Sequence, residues 1–265
     1  MSDFILFDEL FRVPLVTGLL LAAALSLIGG FLRMRDEWLS ALGLSQISAA
    51  GGIAGLALGL PIVVTAVAAA VLASLIKAVL PKSDNSHYAL MMLLGWSGAL
   101  VLAANTYHGE VVGETLLRGQ LYFTHTGHMV GALVLLIILL SLIKWLSPRL
   151  LTERFFPDYF TANGLPARNH RLAFSGLVVF SAVLGTMAMG AFPAFAMFFV
   201  PSWVGFVLVD GWRRSLVVSV IIGCAAYLIS FSAAVLGDQP FGPLLVIVLT
   251  LVSLLRPASA IFRKK

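Results

Sequence analysis

Met129-Val-Gly-Ala-Leu-Val-Leu-Leu-Ile-Ile-Leu-Leu-Ser-Leu-Ile-Lys-Trp-Leu146 is an eighteen-residue run whose only charge, Lys144, comes near its end. A run this long and apolar on every side fits a helix surrounded by hydrocarbon, since crossing a bilayer takes roughly 20 mostly apolar residues. Similar runs fill the rest of the chain, near 13–32, 41–59, 62–80, 89–104, 172–191, 195–209, 215–236 and 242–255. The expected fold class is therefore all-α, a polytopic membrane helical bundle of about nine membrane segments, forming one domain over residues 1–265. The seventh and ninth segments are short and read as either full spans or tilted hairpin arms, which makes the count eight to nine.

Composition agrees. Of the 265 residues, 60% are hydrophobic and 11% charged, against about 25% charge in a soluble domain. The start, Met1 to Arg12, is acidic and lacks the basic region of a cleavable signal, so the first span reads as permanent. Cys224 is the only cysteine, which excludes an internal disulfide or a Cys-based zinc site and suits a packing role.

Nine alternating spans sort the basic residues. One side receives Arg33, Arg35, Lys77, Lys82, Lys144, Arg149, Arg154, Arg168, Arg171, Arg213, Arg214, Arg256, Arg263, Lys264 and Lys265. The other keeps Arg12 and Arg118. Positive charge marks the cytoplasm, which puts the N-terminus outside and the C-terminus inside. The basic pI then reflects topology and implies no nucleic-acid partner.

No GxxxxGK[ST] phosphate loop occurs, so this chain is not expected to hydrolyse ATP. No Asp or Glu falls within the nine spans, although coupled carriers usually keep such carboxylates as relays. A passive pore, or a permease driven by another subunit, remains.

Three polar features stand out. The second span reads Gly43-Leu-Ser-Gln-Ile-Ser-Ala-Ala-Gly-Gly-Ile-Ala-Gly-Leu-Ala-Leu-Gly59, with Gly51, Gly55 and Gly59 along one helix face. Its Ser45, Gln46 and Ser48 either hydrogen-bond between helices or line a translocation path. Pro193 and Pro201 predict a broken or kinked helix, lining a cavity or packed inside protein. On the outer side lie His108, Glu110, His125, His128 and Asp238. An i, i+3 spacing sets His125 and His128 on one face, where they are either plain interfacial residues or two ligands for Zn²⁺ with Glu110, Glu114 or Asp238 nearby.

Three further stretches carry a resemblance. Phe155-Phe-Pro-Asp-Tyr-Phe-Thr-Ala-Asn-Gly-Leu-Pro166 resembles the cytoplasmic Gly-Leu-Pro loop of zinc- and manganese-type ABC importer permeases, with Thr161 where that family usually has alanine. Gly237-Asp-Gln-Pro-Phe-Gly-Pro243 is similar to the family's turn before its last span, and Phe198-Phe-Val-Pro201 to its Leu-Ile-Ile-Pro segment. The resemblance implies that Asp158, Phe160, Gly164 and Pro166 belong to a coupling loop. It implies two copies of a separate ATPase, an extracytoplasmic metal-binding protein, a homodimer in the lipid bilayer of the inner (cytoplasmic) membrane, and a divalent metal as cargo, zinc first and manganese second. One departure bears on the cargo. The family's second span carries an Asp and a His; here Leu44 and Ser48 stand in their places, and neither is a good ligand for a borderline metal. A metal chelate or other small solute is thus an alternative cargo, and a non-transporting assembly subunit an alternative role.

Overall fold

The computed structural model describes residues 9–79, 85–119 and 121–256. The expected charges at Asp3, Asp8, Lys82, Arg263, Lys264 and Lys265 lie outside these residues, as does the Arg118 side chain. The described residues form eleven helices and no strand. They are α1 Glu9–Met34, α2 Leu39–Ala57, α3 Ile62–Val79, α4 Asn85–Ala104, α5 Gly109–Arg118, α6 Thr126–Phe155, α7 Tyr159–Ala162, α8 Arg168–Met189, α9 Ala191–Leu208, α10 Trp212–Gly237 and α11 Phe241–Ser253, with a 3-10 turn at Leu121–Phe123.

All nine apolar segments appear as helices. Seven (α1, α2, α4, α6, α8, α9 and α10) are long and apolar enough to cross a membrane, and α3 and α11 are shorter apolar helices. The short ones thus differ from expectation, because α9 starts earlier than the sequence suggests, at Ala191 immediately after Gly190.

Two helices organise the bundle. α1 packs against α6, α8, α9 and α10, and α2 against α3, α4, α5, α8 and α9. Small residues set the approach distances. A Cβ on Gly29 would lie 1.8 Å from the Phe198 carbonyl oxygen, and one on Gly95 would lie 2.5 Å from the Gln46 carbonyl carbon, so α1 meets α9, and α4 meets α2, backbone to backbone. Gly51 and Gly55 face α3 in the same way, against Ala69 and Thr65. Gly59 leaves the expected stripe: it follows the helix end with φ +68° and has nothing near it. A long-range bond joins the first and tenth helices, where Tyr227 OH donates to the Pro14 carbonyl at 2.9 Å.

The break between α8 and α9 falls at Gly190, φ +92°, rather than at Pro193 or Pro201, both of which lie within α9. Leu25, Gly185 and Ala194 share one level, and Gly29 meets Phe198 four residues on. By that register α9 begins beside the middle of α1. The corner at Met189, Gly190 and Ala191 is wholly buried. Gly119 closes over it, where a Cβ would lie 1.7 Å from the Met189 carbonyl oxygen. Irregular backbone deep in a bundle is tolerated when protein surrounds it, and this corner fits the packing alternative for the break.

α5 falls in the stretch between the fourth and fifth apolar segments. It is amphipathic, burying Gly113, Leu116 and Leu117 while Glu110, Val111 and Glu114 face outward, and it covers the Ala49, Ile53, Ala99 and Ala103 seam of α2 and α4. α6, at 30 residues, is about 45 Å long, roughly 15 Å more than the hydrocarbon it has to cross.

Replacing Gly95 by valine should force α4 off the α2 backbone, costing about 1–3 kcal/mol. A thermal melt in detergent should show a lowered Tm, and an unchanged Tm would mean the two helices are not seated this closely.

Candidate functional site

The basic loops meet on one face of the bundle, held by two carboxylates. Glu37, in the turn between α1 and α2, accepts from Lys77 Nζ at 2.9 Å, Arg35 Nη2 at 3.1 Å and Tyr88 OH at 3.2 Å. Glu153, near the end of α6, accepts from Arg35 Nη1 at 3.4 Å, lies 3.0 Å from His170 Nε2, and pairs with Arg171. Arg154 pairs with Asp36, and Asn85 Nδ2 donates to the Asp36 carbonyl at 2.9 Å. Arg35 is the shared member. It ties the α1–α2 turn to α6 and α8, while Glu37 extends the chain to α3 and α4. Burial alone would raise the Glu37 carboxyl, but Arg35 and then Lys77 outweigh it and hold its pKa below the ordinary carboxylate value.

The loop after α6 stands on this network. α6 ends at Phe155, and after the Pro157–Asp158 turn the four residues of α7 follow. Leu165 N–H donates to the Phe160 carbonyl at 2.8 Å and Gly164 N–H to the Thr161 carbonyl at 3.2 Å, closing the helix over a left-handed Gly164, φ +63°. Phe160 points inward, with its ring 4.8 Å from that of His170. Phe155, Phe156, Tyr159 and Leu165 point outward, and Phe155 is 69% exposed. Asp158, Gly164 and Pro166 are exposed as well. The loop is an exposed apolar knob whose one buried side chain, Phe160, rests on a histidine bound to Glu153.

Ser45, Gln46 and Ser48 are completely buried in α2. Both serine hydroxyls and both ends of the Gln46 amide lack a hydrogen-bond partner among the described residues. Among the described residues these groups make no interhelical hydrogen bond. An unsatisfied buried polar group costs about 1–3 kcal/mol, so four such groups within two helical turns mark a place where water or another polar group would be taken up.

The outer residues do not form one ligand sphere. Among the described residues no three His, Cys, Asp or Glu side chains converge to hold a metal ion. His125 and His128 are adjacent, with ring centroids 5.7 Å apart, and His125 N–H donates to His128 Nδ1 at 3.3 Å, so Nε2 is the ring nitrogen that remains. His108 is exposed and packs on Tyr107 at 4.1 Å, in the left-handed turn before α5. Glu110 lies on the outer face of α5. Asp238 caps α10 and acts on Tyr122, whose hydroxyl is raised first by burial and then by this carboxylate. Of the five residues expected from sequence, the described structure brings His125 and His128 side by side.

Comparison with known proteins bears on what this bundle is. The model of a family described as the ABC 3 transport family matches residues 7–260, almost the whole chain. Two solved structures share the fold. One is PsaBC from Streptococcus pneumoniae in complex with Fab, with TM-score 0.83 and 16% identity over 96% of this chain and 93% of that one. The other is described as "an inward-facing conformation of a putative metal-chelate type ABC transporter", with TM-score 0.71 and 16% identity over 100% of this chain and 91% of that one. No curated protein sequence matches.

The depressed Glu37 pKa gives stability that is present above the unfolded carboxyl value, about 4.3, and is lost as pH falls through the lower folded value. Glu37→Gln should lower the melting temperature at neutral pH, by the equivalent of about 1–3 kcal/mol, and flatten the acid limb of a Tm-against-pH curve. A variant curve parallel to wild type would contradict the pairing.

Proposed function

The chain belongs to the ABC 3 transport family, and from that premise we propose that it is the membrane-spanning permease subunit of an ABC importer that brings a divalent transition metal into the cytoplasm, zinc first and manganese second. The family supports a transport role with ATP hydrolysis on a separate chain. The observation that carries the reading is the loop 155–166, with four apolar side chains facing out and Phe160 seated on the Glu153 network.

Two ATPase subunits would grip these loops in a homodimer, one loop on each copy. Closure of the ATPases on ATP would push α7; Phe160 would pass the displacement to His170, and Glu153 and Arg35 would pass it to the α1–α2 turn. α2 packs on α3, α4, α5, α8 and α9, so a shift of its inner end reaches the centre of the bundle. Ser45, Gln46 and Ser48 lie on that helix, and in this reading their unpartnered groups meet the cargo or its water when the path opens. The N-terminus is outside and the basic face is cytoplasmic, in the inner membrane. Outside, His125 and His128 would take the metal from a binding protein, which would complete the ligand set.

A chelate is the second reading. It is favoured by Leu44 and Ser48 standing in the second span and by the lack of three converging ligands among the described residues. Growth of a deletion strain separates the two. Rescue by zinc salts supports the first, and rescue by a chelate but never by zinc salts overturns it.

Gly164→Val should strain the left-handed position and misplace α7. Uptake into proteoliposomes containing the ATPase should fall roughly tenfold while ATP hydrolysis continues. Equal loss of both activities would instead indicate failed assembly, and full uptake would remove the loop from coupling.

Changing His125 and His128 together to alanine should raise the zinc concentration for half-maximal uptake by about tenfold with the maximal rate retained. Unchanged low-zinc uptake would take the pair out of the entry path.

A further inference from the structure

α6 and α10 both pack on α1 but scarcely on each other. Between them runs an open groove of about 730 Å³, floored by Leu27 of α1. Leu140 and Ile143 form one wall, Val217 and Ile221 the other, and Leu140, Val217 and Ile221 are more than half exposed. At the basic end the lining changes character. Lys144 stands on α6 and Arg213 on α10, and Trp212 Nε1 donates to Ser147 Oγ at 3.0 Å to bridge the two helices.

Charge complementarity identifies the occupant. No Asp or Glu lines the groove. Among the described residues neither Lys144 nor Arg213 has a carboxylate partner, although Arg35, Lys77, Arg154 and Arg171 on the same face all do. Glu153 is already engaged by Arg35, His170 and Arg171, and Asp210 faces a neighbouring cleft. Trp145, beneath Arg149, and Trp212 stand beside these cations, a pairing of aromatic and basic residues typical of a bilayer interface. An apolar trough below two unneutralised cations at headgroup depth matches a molecule with a hydrocarbon tail and an anionic head.

We propose that the α6–α10 groove binds an anionic phospholipid from the leaflet on the basic face, its acyl chain along Leu140, Val217 and Ile221 and its phosphate between Lys144 and Arg213. The site does not depend on which cargo the permease carries. A second copy of the chain seated here would bury the two cations against each other's counterparts around the same trough. That arrangement lacks any carboxylate to offset it.

The test uses the full chain, with its ATPase where the two purify together. It is exchanged into vesicles of phosphatidylcholine with added phosphatidylglycerol, then examined by native mass spectrometry for retained lipid. Wild type should retain phosphatidylglycerol in preference to phosphatidylcholine, and the preference should weaken with salt. Lys144→Gln with Arg213→Gln should reduce phosphatidylglycerol affinity by about thirty-fold, at about fivefold for each cation near an anionic surface. Val217→Trp, which keeps both charges and fills the trough, should reduce retention of both lipids. Equal retention of the two lipids by wild type would overturn the proposal, as would an unchanged preference in the double charge variant. So would a disulfide forming between copies in the membrane when Leu140→Cys and Ile221→Cys are introduced together, since a second subunit would then occupy the groove.

Discussion

Glu153 and Arg35 bring together ends of helices that are far apart in sequence. Hydrocarbon excludes charge, so most ionic contacts in such a chain are confined to its two faces, and those described among the residues of this structure gather on one. The pairs described link the α1–α2 turn to the ends of α3 and α6, and the end of α6 to the start of α8. In the interior, where no charge helps, the helices are held by small residues and close backbone approach. The bundle is thus fastened at one end and interlocked along its length. A push delivered to the fastened end would be carried into the interlocked part rather than dissipated in loose loops.

Much of this was legible in the sequence. Hydrophobic runs such as 129–146 report lipid exposure directly, and all nine reappear as helices. The grouping of Arg35, Lys77, Arg154 and Arg171 on one face was also legible, since side alternation follows from counting spans. The partners of those cations were not, because Glu37 and Glu153 look like ordinary loop acids until the helices are packed. α5 was missed for a related reason: its glycines and acids read as loop, and only the Ala49, Ile53, Ala99 and Ala103 seam beneath it rewards a helix there. The break at Gly190 was assigned to the neighbouring prolines, although a proline within an early turn or a well-packed helix need not end it.

The candidate site was legible in part. Asp158, Gly164 and Pro166 are exposed on one knob, and Phe160 is its inward anchor, which the sequence does not reveal. The outer histidines were visible as a pair from their spacing. Whether His108, Glu110 or Asp238 joins them depends on the left-handed turns at His108 and Asp238, which no spacing rule reveals. Ser45, Gln46 and Ser48 were recognisable as anomalies in an apolar run. Their lack of partners could be known only once α3, α4 and α8 were in place around them.

The bond from Tyr227 to the Pro14 carbonyl has a consequence for how the protein is made. It spans 213 residues, and the Arg33 contact with the Trp203 carbonyl spans 170. A ribosome delivers α1 to the membrane long before α9 and α10 exist. During that interval Gly18, Gly29 and their neighbours offer an unfilled seam to whatever else is nearby. High contact order of this kind slows assembly and prolongs exposure of partly packed intermediates. A polypeptide cut short before α10 would therefore display its first helix half covered, a state that membrane quality-control proteases are suited to remove.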